Sequence, residues 1–162
     1  MRKLLAILTV LIGGAAVLST FAFFIVHQNE QAIVLEFGRP VRIVDNPGIH
    51  WKIPVVQNVE YFDKRILDLD TQPQEVTAAD QKRLIVDAFT RYRITDPLKF
   101  YQSVRGEANV RRTLGPIIDS ALRRVLGSAT FQDIVRDKRE ELMSRIAKVV
   151  NDEGKDFGLE VV

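Results

Sequence analysis

The chain holds two histidines, His27 and His50, and no cysteine, so the usual bases, nucleophiles and soft metal ligands are nearly missing. Without cysteine there is neither a disulfide framework nor thiol chemistry. A zinc centre needs three or four clustered ligands, and no H-x-x-x-H or C-x-x-C spacing occurs. No G-x-S-x-G elbow, Walker loop or G-x-G-x-x-G is present either. His50 lies between Ile49 and Trp51, close to Pro54, which points to a packed, hydrogen-bonded histidine rather than a catalytic base. His27 closes a long apolar run and reads as an interfacial residue. Two charged groups remain: the carboxylates Asp63, Asp68 and Asp70, and the run Arg136-Asp137-Lys138-Arg139-Glu140-Glu141. Either set has the composition of acid–base machinery or a cation site, but such sets more often form solvated or salt-bridged surface. The sequence therefore predicts no catalytic residue, no cofactor, no metal site and no small-molecule substrate. A net charge of +2 with 27% charged residues gives no nucleic-acid footprint.

What must be positioned, then, is a fold beside a membrane. Leu4 to Val26 contains no Asp, Glu, Lys or Arg. As a helix those 23 residues reach about 34 Å, enough for a hydrocarbon core of about 30 Å. A cleaved signal would have a shorter apolar region of about 7–15 residues. Thr20-Phe21-Ala22 is a passable cleavage site, yet bulky Phe23-Phe24-Ile25-Val26 follows it, so a retained single-pass anchor over 4–26 is the better reading. Arg2 and Lys3 flank its start, which places residues 1–3 in the cytoplasm and residues 27–162 across the membrane. Within the anchor, Ala15 and Ser19 share a face of small residues that would admit a second helix or face lipid.

The remaining 136 residues suit one domain or two small ones. Gln31 to Phe37 reads as a strand, Gly38-Arg39-Pro40 as a turn, Val41 to Val44 as the returning strand, and Asp45-Asn46-Pro47-Gly48 as a second turn. Ile49 to Ile53, Val55 to Asp63 and Ile66 to Asp70 read as further strand pieces. Lys82 to Ile94 alternates most clearly, with Ile85 and Phe89 as apolar exceptions that predict partial cover on both faces. From Glu107 to Leu126 the residues Val110, Leu114, Ile117, Ile118, Ala121, Leu122 and Val125 recur at helical spacing; Pro116 must kink this helix or mark its first turn. Thr130 and Asp133 resemble a capping box opening a second helix, whose stripe is Ile134, Val135, Leu142, Ile146, Val149 and Val150, with Gly154 at its end. Phe157 to Val162 begins another strand. The expected fold class is α+β: an antiparallel sheet packed with helices after an N-terminal transmembrane helix.

Several stretches, in order, resemble one family. Glu30-Gln31-Ala32-Ile33-Val34-Leu35-Glu36-Phe37-Gly38-Arg39 resembles the opening of the SPFH family (stomatin, prohibitin, flotillin, HflK/HflC; band 7). Pro47-Gly48-Ile49-His50-Trp51-Lys52-Ile53-Pro54 resembles its P-G-hydrophobic-H-hydrophobic-K-I-P segment. Asp63-Lys64-Arg65-Ile66, Val86-Asp87-Ala88-Phe89, Tyr92 to Pro97, Arg123-Arg124, Asp133 to Arg139 and Phe157-Gly158-Leu159 continue the match. Within the family the chain most resembles the HflC type, through the anchor starting at residue 4 and the segment Thr77 to Asp87.

That resemblance implies a scaffold of the bacterial inner membrane, with its domain in the periplasm. It implies assembly with an HflK-like partner into a large hetero-oligomer that regulates the membrane AAA+ protease FtsH, without catalysis by this chain. Family members continue from the last strand into a long helix, so the domain over 27–162 is expected to be incomplete at its C-terminal end. A stomatin-like scaffold acting on other membrane proteins is the alternative; a membrane-anchored hydrolase using His50, and a solute-binding module, are the alternatives from other classes. Two contact surfaces are expected. Phe23, Phe24, Val55 and Val56 are the candidates for the lipid interface, as apolar residues beside the anchor or a proline. Arg136, Asp137, Arg139 and Glu140 are the candidates for subunit contact.

Overall fold

The computed structural model describes residues 21–162. The chain divides into two compact units, the first ending at Asp63 and the second starting at Lys64. The α+β class holds, and every strand pairing is antiparallel. In place of one sheet there are four small ladders, two in each unit.

The first unit is built on β2 (Glu30–Glu36). Its five inner residues, Gln31 to Leu35, are all buried, which is why Gln-Ala-Ile-Val-Leu reads as a continuous apolar run after its first residue. β3 (Arg39–Val44) and β5 (Gln57–Asp63) flank it. The hairpin turn is the two residues Phe37 and Gly38, both with positive φ, the pattern whose twist suits a two-residue loop. The turn thus comes one residue earlier than the sequence suggests, and Pro40 sits inside β3. An edge strand tolerates this, because the missing N–H faces away from the sheet, and the register slips at Val34/Leu35 beside it. The second ladder joins β1 (Phe23–Val26) to β4 (Gly48–Trp51). Phe24 and Val26 point into a core with Ala32, Val34, Val44 and Val59.

β1 corrects the apolar-run reading, which placed Phe23–Val26 at the end of the anchor. These four residues are all apolar, so their two-residue alternation cannot be seen in the sequence. Among the described residues no helix is long and apolar enough to cross a membrane; residues 4–20 of the expected anchor lie outside those described.

In the second unit β9 (Phe89–Ile94) lies between β6 (Leu67–Asp70) and β10 (Leu159–Val161). A hairpin of β7 (Gln74–Thr77) and β8 (Arg83–Val86) stands apart. The long strand expected over Lys82 to Ile94 is therefore two strands with different partners, broken at Asp87-Ala88. The tip of the β7–β8 hairpin is tied to the segment after the second helix. Asp80 Oδ1 accepts the Phe131 N–H at 3.2 Å, and the Lys82 ammonium lies 5.0 Å from the Phe131 ring centre.

Three helices cover this unit. In α1 (Pro97–Ser103), Asp96 caps the Leu98 and Lys99 N–H groups at 3.1 Å each, and Pro97 fills the first turn. α2 (Val110–Leu126) buries the expected stripe except Ile117, which is half-buried, and carries Pro116 in its interior; Pro116 is exposed, so water reaches the carbonyl its missing N–H leaves free. The Thr130–Asp133 box forms as expected: the Thr130 hydroxyl donates to Asp133 Oδ2 at 2.7 Å, and the Asp133 N–H donates to that hydroxyl at 3.3 Å. A wide π turn, Asp133–Asp137, follows, and the chain leaves helical geometry at Lys138 before α3 (Arg139–Gly154). The extra residue in that turn shifts the helical phase, so Ile134 is buried while Val135 faces outward, against the expected stripe.

Gly158 ties these pieces together. Its φ is +73°, and a Cβ there would fall on the Asp96 carbonyl oxygen and 3.0 Å from the Phe100 nitrogen. Its own carbonyl accepts the N–H groups of Thr95 and Asp96 at 3.0 and 3.1 Å. Replacing Gly158 by Ala combines left-handed strain of about 1–2 kcal/mol with a backbone clash, and should lower the thermal midpoint by several degrees, read by circular dichroism. Burial pushes the Tyr92 phenol up from 10.0 to about 12, with the Glu107 carboxylate adding to it. A group whose acid form the fold favours contributes fully below its ordinary pKa and loses that contribution as pH rises through the folded value. Stability should therefore fall between about pH 10 and pH 12, with Tyr92 ionising late in an ultraviolet tyrosinate titration.

Candidate functional site

Several side chains with reactive chemistry, His50 and Asp133 among them, are engaged in holding structure. The His50 Nε2–H donates to the Asn46 carbonyl at 2.9 Å, and the ring lies 5.7 Å from that of Phe24. His27 is exposed in the turn between β1 and β2. Asp68 and Asp70 point outward from β6, with Asp68 opposite Arg91 in the ladder, whereas Asp63 ends β5 in the other unit. Among the described residues no group of His, Asp or Glu is arranged to hold a metal ion. The Arg136 Nε–H donates to Asp137 at 3.0 Å, and Glu141 pairs with Arg145 one turn on. Thr130 hydrogen bonding holds the Asp133 carboxyl below the usual carboxylate range.

What stands out is apolar surface. In the first unit the outward face of the β1–β4 ladder carries only large apolar side chains. Phe23 lies opposite Trp51 and Ile25 opposite Ile49, and all four are exposed, Trp51 at 60%. Facing residues of an antiparallel pair sit side by side, so the four form one ridge. Phe21 and Ile53 are exposed, both beyond the Phe23–Trp51 end of the pair. The turn after β4 is pinned by Gln57: its N–H donates to the Ile53 carbonyl at 2.9 Å, its Oε1 accepts the Ile53 N–H at 2.9 Å, and its Nε2–H donates to Glu36 at 3.0 Å. Val55 stands at the tip, 90% exposed and with φ +73°. A β-branched residue in that conformation is strained by about 1–3 kcal/mol, and such strain gathers where a side chain is needed for function.

Of the four residues expected at a lipid interface, Phe23 and Val55 are thus outward, Val56 is half-buried, and Phe24 is a core residue, 7% exposed. Phe24 is the correction: it alternates with Phe23, so only one of the pair can face out. Sequence reasoning missed Ile25, Ile49 and Trp51. The readable signal was Ile49-His50-Trp51, where the polar residue marks the inward position.

The second unit carries a groove between the strands β8 and β9 and the helices α2 and α3. One hollow of about 460 Å3 is lined by Ile85, Phe89, Leu126, Val135, Arg139 and Met143 among others. A second of about 230 Å3 continues from Phe89 and Met143 to Val150 and Val162. Ile85 is 80% and Phe89 77% exposed, so the cover expected over these two residues is absent among the described residues. Of the four expected subunit-contact residues, Arg139 borders this groove. All four line a separate open hollow together with Lys138 and Glu141.

Residues 24–162 match the family model described as SPFH domain / Band 7 family. This chain belongs to the SPFH/band 7 family. It is 31% identical over 149 residues to Protein HflC of Haemophilus influenzae, covering 85% of this chain and 50% of that protein. It is 33% identical over 140 residues to Protein HflC of Buchnera aphidicola subsp. Schizaphis graminum, covering 80% and 45%. To the Modulator of FtsH protease HflC of Escherichia coli K12 it is 32% identical over 136 residues, covering 79% and 41%. The chain spans about half, or less, of the length of these curated relatives. Its described residues include large exposed apolar side chains in both units.

The strain at Val55 gives a direct check on that surface. Val55→Gly relieves the left-handed backbone at the expense of chain entropy and should leave stability unchanged or raise it by up to about 1 kcal/mol, measured by urea unfolding. Vesicle binding of the same variant should weaken. A destabilised Val55→Gly protein would mean that the valine side chain packs inward.

Proposed function

We propose that this chain is a non-catalytic scaffold of the HflC type. It is held at the bacterial inner membrane by a single span with its amino terminus in the cytoplasm and its SPFH domain in the periplasm. There it assembles with an HflK-like SPFH partner into a large hetero-oligomer and modulates an FtsH-like AAA+ protease. The observation that carries this reading is the 32% identity to a relative named as a modulator of FtsH protease, over 79% of this chain.

The geometry is consistent with that role in three respects. His50 is committed to Asn46 and the ring of Phe24, which suits packing better than turnover. The β1–β4 ridge with Val55 offers an apolar face for the lipid interface, in line with the charge-free run that precedes it in sequence. The groove beside Ile85 and Phe89, with Arg136, Asp137, Arg139 and Glu140 nearby in sequence or at its border, offers a face for a neighbouring subunit.

The test is mild detergent extraction of the tagged chain, with size measurement and mass spectrometry of what co-purifies. The expected species is of megadalton scale and contains an HflK-like protein and an AAA+ protease. Phe89→Gln, at an exposed position opposite Asp70, where it adds no like charge, should shift it to a small species with little change in thermal midpoint. A small species without either partner from the unaltered chain would overturn the reading.

A further inference from the structure

The ridge of the first unit carries a cation fixed against its aromatic end. Arg42, on β3, places its guanidinium carbon 5.6 Å from the centre of the Trp51 ring. Its Nη2–H donates to the Trp51 carbonyl at 2.6 Å. A guanidinium drawn to a ring by its charge still has N–H donors for other partners. Only one of five donors is committed to the Trp51 carbonyl. Such a fork matches the oxygens of a phosphate, and a cation held over tryptophan keeps its position without the entropy loss of a free side chain. Lys52, next in sequence, lines a hollow of about 240 Å3 with Phe21, Pro54 and Val55. Apolar side chains, an interfacial tryptophan and cations at the rim therefore occupy one surface.

We propose that Arg42, held beside Trp51, binds the phosphate of anionic phospholipids where the β1–β4 ridge meets the bilayer. The inference rests on the membrane-facing reading of that ridge and adds a lipid class to it. A bilayer is the favoured occupant for two reasons. Phe23 continues directly from a run without charged residues that starts at Leu4, and tryptophan rings concentrate at the headgroup level. An anionic lipid is favoured because basic side chains near such a surface gain about 1 kcal/mol each, about five-fold in binding.

The chain has one tryptophan, so Trp51 reports its own surroundings. The full chain is reconstituted in vesicles of phosphatidylcholine alone or mixed with phosphatidylglycerol, with lipids brominated near the headgroup as quenchers. Trp51 emission should be quenched in both, more strongly with phosphatidylglycerol. Arg42→Gln should abolish that increment, and Arg42→Lys, which keeps the charge but loses the fork, should reduce it by more than half. Arg39→Gln, an exposed arginine on the same strand, should retain it. Circular dichroism of each variant checks that the fold persists. Quenching that does not depend on phosphatidylglycerol, or an increment lost equally in Arg39→Gln and Arg42→Gln, would overturn the role of Arg42 and leave the membrane-facing ridge standing. No quenching in any vesicle would mean that other residues of the chain or a second copy cover the ridge, and would overturn both.

Discussion

A ladder of two or three strands cannot cover both of its own faces, and this constraint governs the whole chain. Every strand here lies in such a ladder. Isolated two-stranded ribbons are marginal in water, so each must lay one face on something else. β2 solves this by being buried on both sides, and α2 and α3 supply cover for the second unit. Where no cover is supplied, large apolar side chains remain in solvent: the outward face of β1–β4 and the groove beside Ile85 and Phe89. The surfaces assigned to function are the faces that the fold leaves uncovered.

The polar residues follow the same division. Few of them are set up for reaction, because they close the backbone where ladders and helices end. Asp96 caps α1, Thr130 and Asp133 satisfy each other before the π turn, and Asp80 reaches from a hairpin tip to the Phe131 N–H. His50, the one plausible base, holds the turn before β4 through Asn46. Among the described residues no buried side-chain nitrogen or oxygen lacks a partner.

Left-handed backbone occurs outside glycine at Phe37, Val55, Gln81 and Arg105, and Val55 contrasts with Gly158. Gly158 takes a left-handed conformation because the Asp96 carbonyl leaves no room for a side chain, and its own carbonyl joins the start of α1 to the end of α3. Val55 takes one without being glycine, which lifts an isopropyl group to the tip of a pinned turn. The first position is a packing requirement. The second leaves a β-branched side chain strained and exposed at a turn tip.

Much of this was legible from residue order alone. The helical stripe of α2, the Thr130–Asp133 box, the antiparallel α+β class and the family motifs depend on periods and pairs within a few residues, and local physics decides those. Which of two adjacent apolar residues faces a core is not local. Phe23 and Phe24 are identical in type, and only pairing with Trp51 and His50 makes one a ridge residue and the other a core residue. The break at Asp87-Ala88, the outward turn of Val135 and the placing of Arg42 beside Trp51 likewise depend on partners distant in sequence or on one extra residue in a helical turn. Composition and period determined that this chain has apolar faces, two histidines and no cysteine. Tertiary pairing alone decided which faces stay open, because cover depends on what packs opposite and not on the residue itself.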